Sequence, residues 1–271
     1  MVSRNYFVFG GVKSSDYGIY ISGSGTYNAP KRAVDEVEIP GKNGTLIIDH
    51  GRYENTVLTY PAFTYASDRD ALSRILSDFR NAILSKRGYQ RLEDTYHPDE
   101  YRMATFSVDF EADITANGRA GGFDLEFNCK PQRFLTEGEE PLELIWVYKA
   151  LENENSVLIT NEEDKEIEGA TSPVDSITNP TPYESQPLIV VTGSGTVSIG
   201  DQIITVTDIA AGTDVYIDSE VMEIYTETGG VKTGASSHVT FNKNTFPIIA
   251  PGTQGFSNTA PVQIIPRWWR L

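Results

Sequence analysis

Apolar and polar residues alternate along much of this chain, which is the pattern of strands with one buried face. The clearest stretch covers residues 103–130. Every second residue from Ala104 to Ile114 is apolar, and after a glycine-rich break the same alternation runs from Phe123 to Cys129. The pattern predicts a long β-hairpin over about residues 103–130, with Cys129 as a small core thiol on its buried face.

One segment has helical spacing instead. Apolar residues recur three or four positions apart between Leu72 and Ile83, which predicts an amphipathic helix over about residues 68–84. Ser67 is expected to cap its beginning and Gly88 to stop it. A single helix among strands covers one face of a sheet, so we interpret it as a packing element.

A second, shorter hairpin is predicted around the turn at residues 40–44. One strand ends at Ile39 and the next begins at Thr45. The Asn43-Gly44 pair suits a tight turn in which both central residues need positive φ. A phosphate-binding loop would need a helix directly after these glycines, whereas a strand pattern follows.

The second half of the chain shows no helical pattern. Short strand-like segments follow Pro187 and are separated by Gly, Asp and Asn, which is the spacing of an antiparallel sandwich. We therefore predict a mainly-β protein of two domains, an N-terminal domain of residues 1–135 and a C-terminal domain of residues 136–271.

The net charge of −16 is unevenly placed. Residues 1–135 carry 18 acidic and 16 basic side chains, whereas residues 136–170 carry 11 and 2. An acidic insertion at about residues 145–176 is either a contact for a partner or saccharide, or a solvated loop with no role. An acidic surface repels phosphate backbones and anionic lipids, so sequence-specific nucleic acid and membranes are not expected partners.

No segment approaches the ~20 apolar residues that span a bilayer. The N-terminus lacks the long apolar stretch of a signal peptide, so we expect the protein to be made in a cytoplasm.

Candidate catalytic and metal-binding residues are few. His97 lies near Asp94, Asp99 and Glu100, but the spacing matches no chelating motif, and we interpret the segment as a structural loop. The only cysteine is Cys129, which excludes a cysteine cluster for zinc.

Acidic residues also raise the possibility of a glycosidase carboxylate pair. They form two groups, both typical of solvated surface: Glu137, Glu139 and Glu140 in an acidic run, and Asp109, Glu111 and Asp113 on the polar face of a strand. No serine lies in a Gly-x-Ser-x-Gly elbow. The sequence therefore predicts no catalytic, metal or cofactor site and a protein that is not an enzyme.

Two adjacent tryptophans, Trp268 and Trp269, lie near the end of the sequence. They could form a stacking platform for a saccharide. Alternatively, they belong to a terminal strand and are buried or held by a neighbouring subunit, which is the interpretation we favour.

Taken together, several short segments resemble, in order, the distal tail protein family of long-tailed siphophages, especially those that infect Gram-positive bacteria. The segments are FVFGG (7–11) with SDYGI (15–19), IPGKNG (39–44), YEN (53–55), LED (92–94) with YRMA (101–104), FNCKPQRF (127–134), NPT (179–181) and PRWW (266–269). None is diagnostic alone, and the N-terminal half carries the stronger match.

The resemblance implies an N-terminal domain made of a β-sandwich, one helix and a projecting β-hairpin, followed by a galectin-like β-sandwich. It further implies a homo-hexameric ring at the tail tip or baseplate of the virion. This hub would join the tail tube protein to a tail-tip or tail-associated lysin-type protein and to the receptor-binding protein, and DNA would pass through its bore.

Two other functions remain open at this point. The sandwich-like second half and the terminal tryptophans would suit an adhesion module that binds host cell-wall saccharide. A wall-degrading hydrolase is a third hypothesis, and no group of residues in the sequence supports it.

Overall fold

The computed structural model of the chain describes residues 4–23, 27–106, 110–115, 118–142 and 176–271. The chain divides into two compact units, residues 1–134 with Leu271 and residues 135–270. Within the described ranges, no helix is long and apolar enough to cross a membrane. The predicted acidic insertion lies outside the described residues except for Ser176, and so does Asp109.

The N-terminal unit contains ten strands and one helix among its described residues. They are β1 (Phe7–Phe9), β2 (Val12–Lys13), β3 (Ile19–Ile21), β4 (Arg32–Glu38), β5 (Thr45–Tyr53), β6 (Thr56–Tyr65), α1 (Arg69–Leu84), β7 (Gln90–Asp94), β8 (Glu100–Thr105), β9 (Asp113–Ile114) and β10 (Ala120–Leu135), of which the last ends just beyond the unit.

Most of these strands form one sheet in the order β2-β1-β7-β8-β10-β6-β3, and β9 also pairs with β10. Among the strands that the structure describes, β4 and β5 pair only with each other, as a separate hairpin. An aromatic core lies between the sheet and α1. Phe127 is fully buried there, 5.3 Å from the ring of Phe7 and 5.1 Å from that of Phe9.

Helix α1 has the predicted position, but its N-cap residue differs from the prediction. Asp68, not Ser67, caps the helix, because the Asp68 carboxylate accepts a hydrogen bond from the Ala71 amide at 2.8 Å. Ser67 donates its hydroxyl proton to that same carboxylate. The helix ends at Leu84, before the expected stop at Gly88, and buries Phe79 and Ile83 in the core.

The second strand of the predicted 103–130 hairpin lies within β10, whereas the described part of its first strand is divided between the end of β8 and the two-residue β9, both of which neighbour β10. Phe123, Phe127 and Cys129 are buried as expected. Ile114 is not, since 51% of it is exposed. Strand β9 is only two residues long and lies opposite Gly121 and Gly122, which offer no side chains to cover it.

The C-terminal unit is formed by two five-stranded sheets. Their orders are β11-β19-β13-β14-β18 and β17-β16-β15-β12-β20. The strands are β11 (Ser176–Asn179), β12 (Leu188–Thr192), β13 (Gly195–Ile199), β14 (Gln202–Val206), β15 (Asp214–Asp218), β16 (Glu223–Thr228), β17 (Val231–Gly234), β18 (Val239–Phe241), β19 (Gly252–Asn258) and β20 (Val262–Ile265), followed by the short β21 (Trp269–Arg270).

Both sheets contribute to one apolar core. Alternate residues such as Ile189, Val197 and Ile217 are fully buried in it. This is the antiparallel sandwich that the short, evenly spaced strands predict.

Candidate assembly interface

The hairpin formed by β4 and β5, residues 32–53, is the most unusual surface of the N-terminal unit, and we call it the hairpin arm. Its turn contains Gly41 and Gly44, both with φ above +80°. Large apolar side chains that would normally be covered are exposed along it. They are Val37 (43%), Ile39 (37%), Leu46 (49%), Ile47 (60%) and Ile48 (46%).

The register of the arm distributes its side chains over two faces. Glu36 is opposite Ile47 on one face, and Val37 is opposite Leu46 on the other. Each face therefore combines apolar side chains with carboxylates. A two-stranded hairpin is marginally stable alone and leaves both strand edges without backbone partners. An exposed, apolar hairpin of this kind is typical of a surface that another chain covers.

Ion pairs hold the arm together near its root. Arg32 is 2.6 Å from Asp49 and its guanidinium lies over the Tyr53 ring, while His50 is 2.9 Å from Asp35. The side chains of both pairs are well exposed. Such pairs contribute less than about 1 kcal/mol each, so they do not replace a packed partner.

A second surface lies at the root of the arm, around the C-terminal end of α1, and we call it the basic patch. It consists of Leu84, Lys86, Arg87, Tyr89 and Lys130. The Tyr89 ring is positioned by the Asn55 amide, which donates to its hydroxyl at 2.7 Å, and the Lys130 ammonium lies 5.2 Å from the ring centroid. The five residues include three cations and no carboxylate.

The segment considered for a metal site forms a tight polar network. Asp94 accepts hydrogen bonds from the Tyr60 hydroxyl at 2.6 Å and from the amides of Tyr96 and His97. Burial holds the pKa of Tyr60 well above its ordinary value, so the hydroxyl stays protonated and donates. The carboxylate is thus occupied in fixing the loop.

The remaining groups of this network line a cavity of only about 20 Å³. Glu100 lies 3.6 Å from Arg133, and Arg102 is buried beside them. Burial lowers the pKa of Arg102. Binding pockets for small molecules are typically ~300–1,000 Å³, so this space does not suit a substrate. In the described part of the chain, no group of three or more His, Cys, Asp or Glu could hold a metal.

The other chemically interesting side chains are also accounted for. Cys129 is fully buried, and burial raises the pKa of its thiol to about 11, which keeps it a protonated core residue. Glu111 and Asp113 are exposed on the surface, as are Glu137 and Glu140. We see no convergence of carboxylates among them.

The two terminal tryptophans have different environments. Trp268 is only 4% exposed and belongs to the C-terminal core, so its indole faces are not available to a saccharide. Trp269 is half-buried; it stacks on Tyr183 at 4.4 Å and donates its indole proton to the Glu184 carbonyl at 2.9 Å. These contacts are those of packing. A saccharide contact by Trp269 stays a hypothesis.

Sequence reasoning missed the ion pair that anchors this terminus. Arg267 makes two hydrogen bonds to Asp218, of 2.7 and 3.0 Å, and both side chains are largely buried. Burial opposes ionisation of Asp218, but the hydrogen bonds and charge of Arg267 outweigh it and lower the Asp218 pKa below its ordinary 3.8. Nothing in the local sequence links two residues so far apart.

The Arg267→Met variant is expected to destabilise the C-terminal unit by about 2–3 kcal/mol at pH 7, because Asp218 loses its charged partner. Because the pKa of Asp218 is lowered by folding, its ionised form stabilises the protein fully above the ordinary pKa of 3.8. This stabilisation is lost as the pH falls from 3.8 through the lower pKa of the folded state. The difference from wild type should therefore shrink below pH 3.8, as measured by urea unfolding at several pH values.

A suitable control is Lys243→Met, which removes an exposed ion pair with Asp201. It should leave unfolding nearly unchanged. Equal effects of the two substitutions, or an Arg267→Met effect independent of pH, would contradict this account.

The whole fold is similar to solved phage tail-tip structures. It aligns with the Dit protein (gp 19.1) of phage SPP1, described as a paradigm of the hub adsorption apparatus in phages that infect Gram-positive bacteria, over 97% of both chains with a TM-score of 0.67 and 12% identity. Chains of the phage P2 baseplate in its activated conformation align over 97% of both chains, with TM-scores of 0.50 (with Ca, 12% identity) and 0.52 (with Sr, 13% identity).

No protein-family model matches the sequence, and no curated protein does either. At 12–13% identity the likeness concerns architecture. It extends over both units. The chain therefore has the fold of the phage distal tail protein, Dit.

Proposed function

We propose that this protein is a structural component of the tip of a long, non-contractile phage tail. Six copies form a ring that joins the tail tube protein to the tail-tip or tail-associated lysin-type protein and to the host-adsorption apparatus. Similarity to a hub protein over 97% of both chains supports this proposal.

The observation that carries the proposal is the hairpin arm. Its exposed apolar side chains and open strand edges are poorly suited to a monomer in water. A ring-forming protein needs such surfaces to be covered by identical copies.

Chemistry within the described residues favours a structural role over an enzymatic one. The polar network around Asp94 and Glu100 encloses about 20 Å³, and its carboxylates are held by neighbouring donors and cations. We further propose that the C-terminal sandwich is a galectin-like domain. The packing of Trp268 and Trp269 gives no specific reason to prefer saccharide adhesion as the main function.

Sedimentation velocity and negative-stain microscopy of the purified chain test the proposal. We expect a closed ring with six times the 30.0 kDa subunit mass, formed in a concentration-dependent manner. A protein that stays monomeric at every soluble concentration, and also when mixed with its tail tube protein, would rule out the hub.

A further inference from the structure

The distal half of the hairpin arm combines negative charge with apolar surface. On one face, Glu36 is directly opposite Ile47, which is 60% exposed, and Glu38 is opposite Thr45, the next residue of β5 on that face. Both glutamates are exposed as well. A surface of this composition fits a partner that offers cations beside apolar groups.

The basic patch has the complementary composition. Lys86, Arg87 and Lys130 provide the cations, and Leu84 (51% exposed) and Tyr89 (41% exposed) provide the apolar surface. Charge and apolar character therefore match between the two surfaces.

Within one copy these two surfaces are kept apart by the length of the arm. Strand β5 has nine residues, which at ~3.3 Å per residue makes the arm about 30 Å long. The patch is fixed at the root, because Asn55, two residues after the end of β5, holds the Tyr89 hydroxyl. Glu38, near the turn, is six residues along β4 from Arg32 at the root, so about 20 Å of strand separates it from the patch of its own copy.

We infer that the arm face formed by Glu36, Glu38 and Ile47 packs on the basic patch of the next copy. This inference rests on the proposed ring and names the surfaces that build it. Because the two surfaces differ and both occur on every chain, the contact is head-to-tail, and contacts of this kind close into rings when the rotation allows.

Charge reversal tests the pairing in the full chain. Glu36→Lys with Glu38→Lys changes the arm, Lys86→Glu with Arg87→Glu changes the patch, and the combined variant carries both changes. All four side chains lie at the surface or partly so, and folding is checked by circular dichroism. The matched control reverses Glu223 and Glu227, which are exposed on β16 of the other unit.

Sedimentation velocity at low salt measures assembly. We expect each double reversal to weaken association at least tenfold, the combined variant to regain most of it, and the Glu223/Glu227 control to assemble as wild type does. If both reversals weaken assembly without rescue in the combined variant, the two surfaces contact something other than each other and the inference fails.

The test also separates this inference from the proposed function. If the wild-type protein forms rings and the Glu36→Lys/Glu38→Lys variant forms them equally well, the pairing is wrong and the proposed hub role stands. If the wild-type protein forms no rings, both the pairing and the proposed hub function are wrong.

Discussion

Replacing Phe127 by alanine is expected to destabilise the N-terminal unit by about 3–5 kcal/mol, which is the usual cost of deleting a buried aromatic ring. Phe127 is fully buried, and its ring lies within 6 Å of the rings of four other aromatic residues. They are Phe7, Phe9, Tyr60 and Phe106. Two of these neighbours are already stacked on each other, Phe7 and Tyr60, and Phe106 packs against Phe110, so they are not free to fill the space. Denaturant unfolding, followed by near-ultraviolet circular dichroism, measures the loss.

Val57→Ala is the matched control for Phe127→Ala. Val57 lies in β6, next to β10, but 53% of it is exposed. It should change the free energy of unfolding by less than about 0.5 kcal/mol. If Phe127→Ala costs no more than the control, the aromatic cluster is not the core of this unit.

Gly195→Ala should be similarly damaging in the C-terminal unit. A Cβ atom at this position of β13 would lie 2.2 Å from the Ala260 Cβ and 3.0 Å from the Ala260 amide nitrogen. Neither atom can move without shifting the backbone, so we expect a loss of about 3 kcal/mol, the upper part of the range for overpacked sites.

Gly234→Ala provides the comparison for Gly195→Ala. Gly234 also lies in a strand, and an added Cβ would meet nothing within 4 Å. Thermal unfolding of the two variants should therefore differ, with Gly234→Ala close to wild type. Equal melting temperatures would show that β13 does not approach Ala260 as closely as described.

The alternation of buried and exposed side chains along β10 could be predicted from sequence. One face of this strand lies on a continuous core, so every second residue is apolar. The same logic fails at Ile114, where the opposing strand offers two glycines and no side chains. Strand pattern reveals which residues share a face, but not whether anything covers that face.

The hairpin arm illustrates that limit most clearly. Its turn and both strands are visible in the sequence, yet the run Leu46-Ile47-Ile48 has the composition of a buried strand. Its exposure follows from tertiary structure, because β4 and β5 join no other sheet. Similarly, the Ser67-Asp68 pair offers two acceptable caps, and only the path of the chain selects Asp68.

The carboxylates of the arm also disfavour contact between the arms of two molecules. Two arms that met antiparallel along β4, with Val37 opposite Val37, would bring Glu36 of each molecule against Glu38 of the other, and like charges directly opposite each other oppose this pairing. Fibre-like stacking of newly made chains is thereby discouraged until a cationic surface is present. Under the proposed pairing, the same two side chains would both oppose contact between arms and select the basic patch.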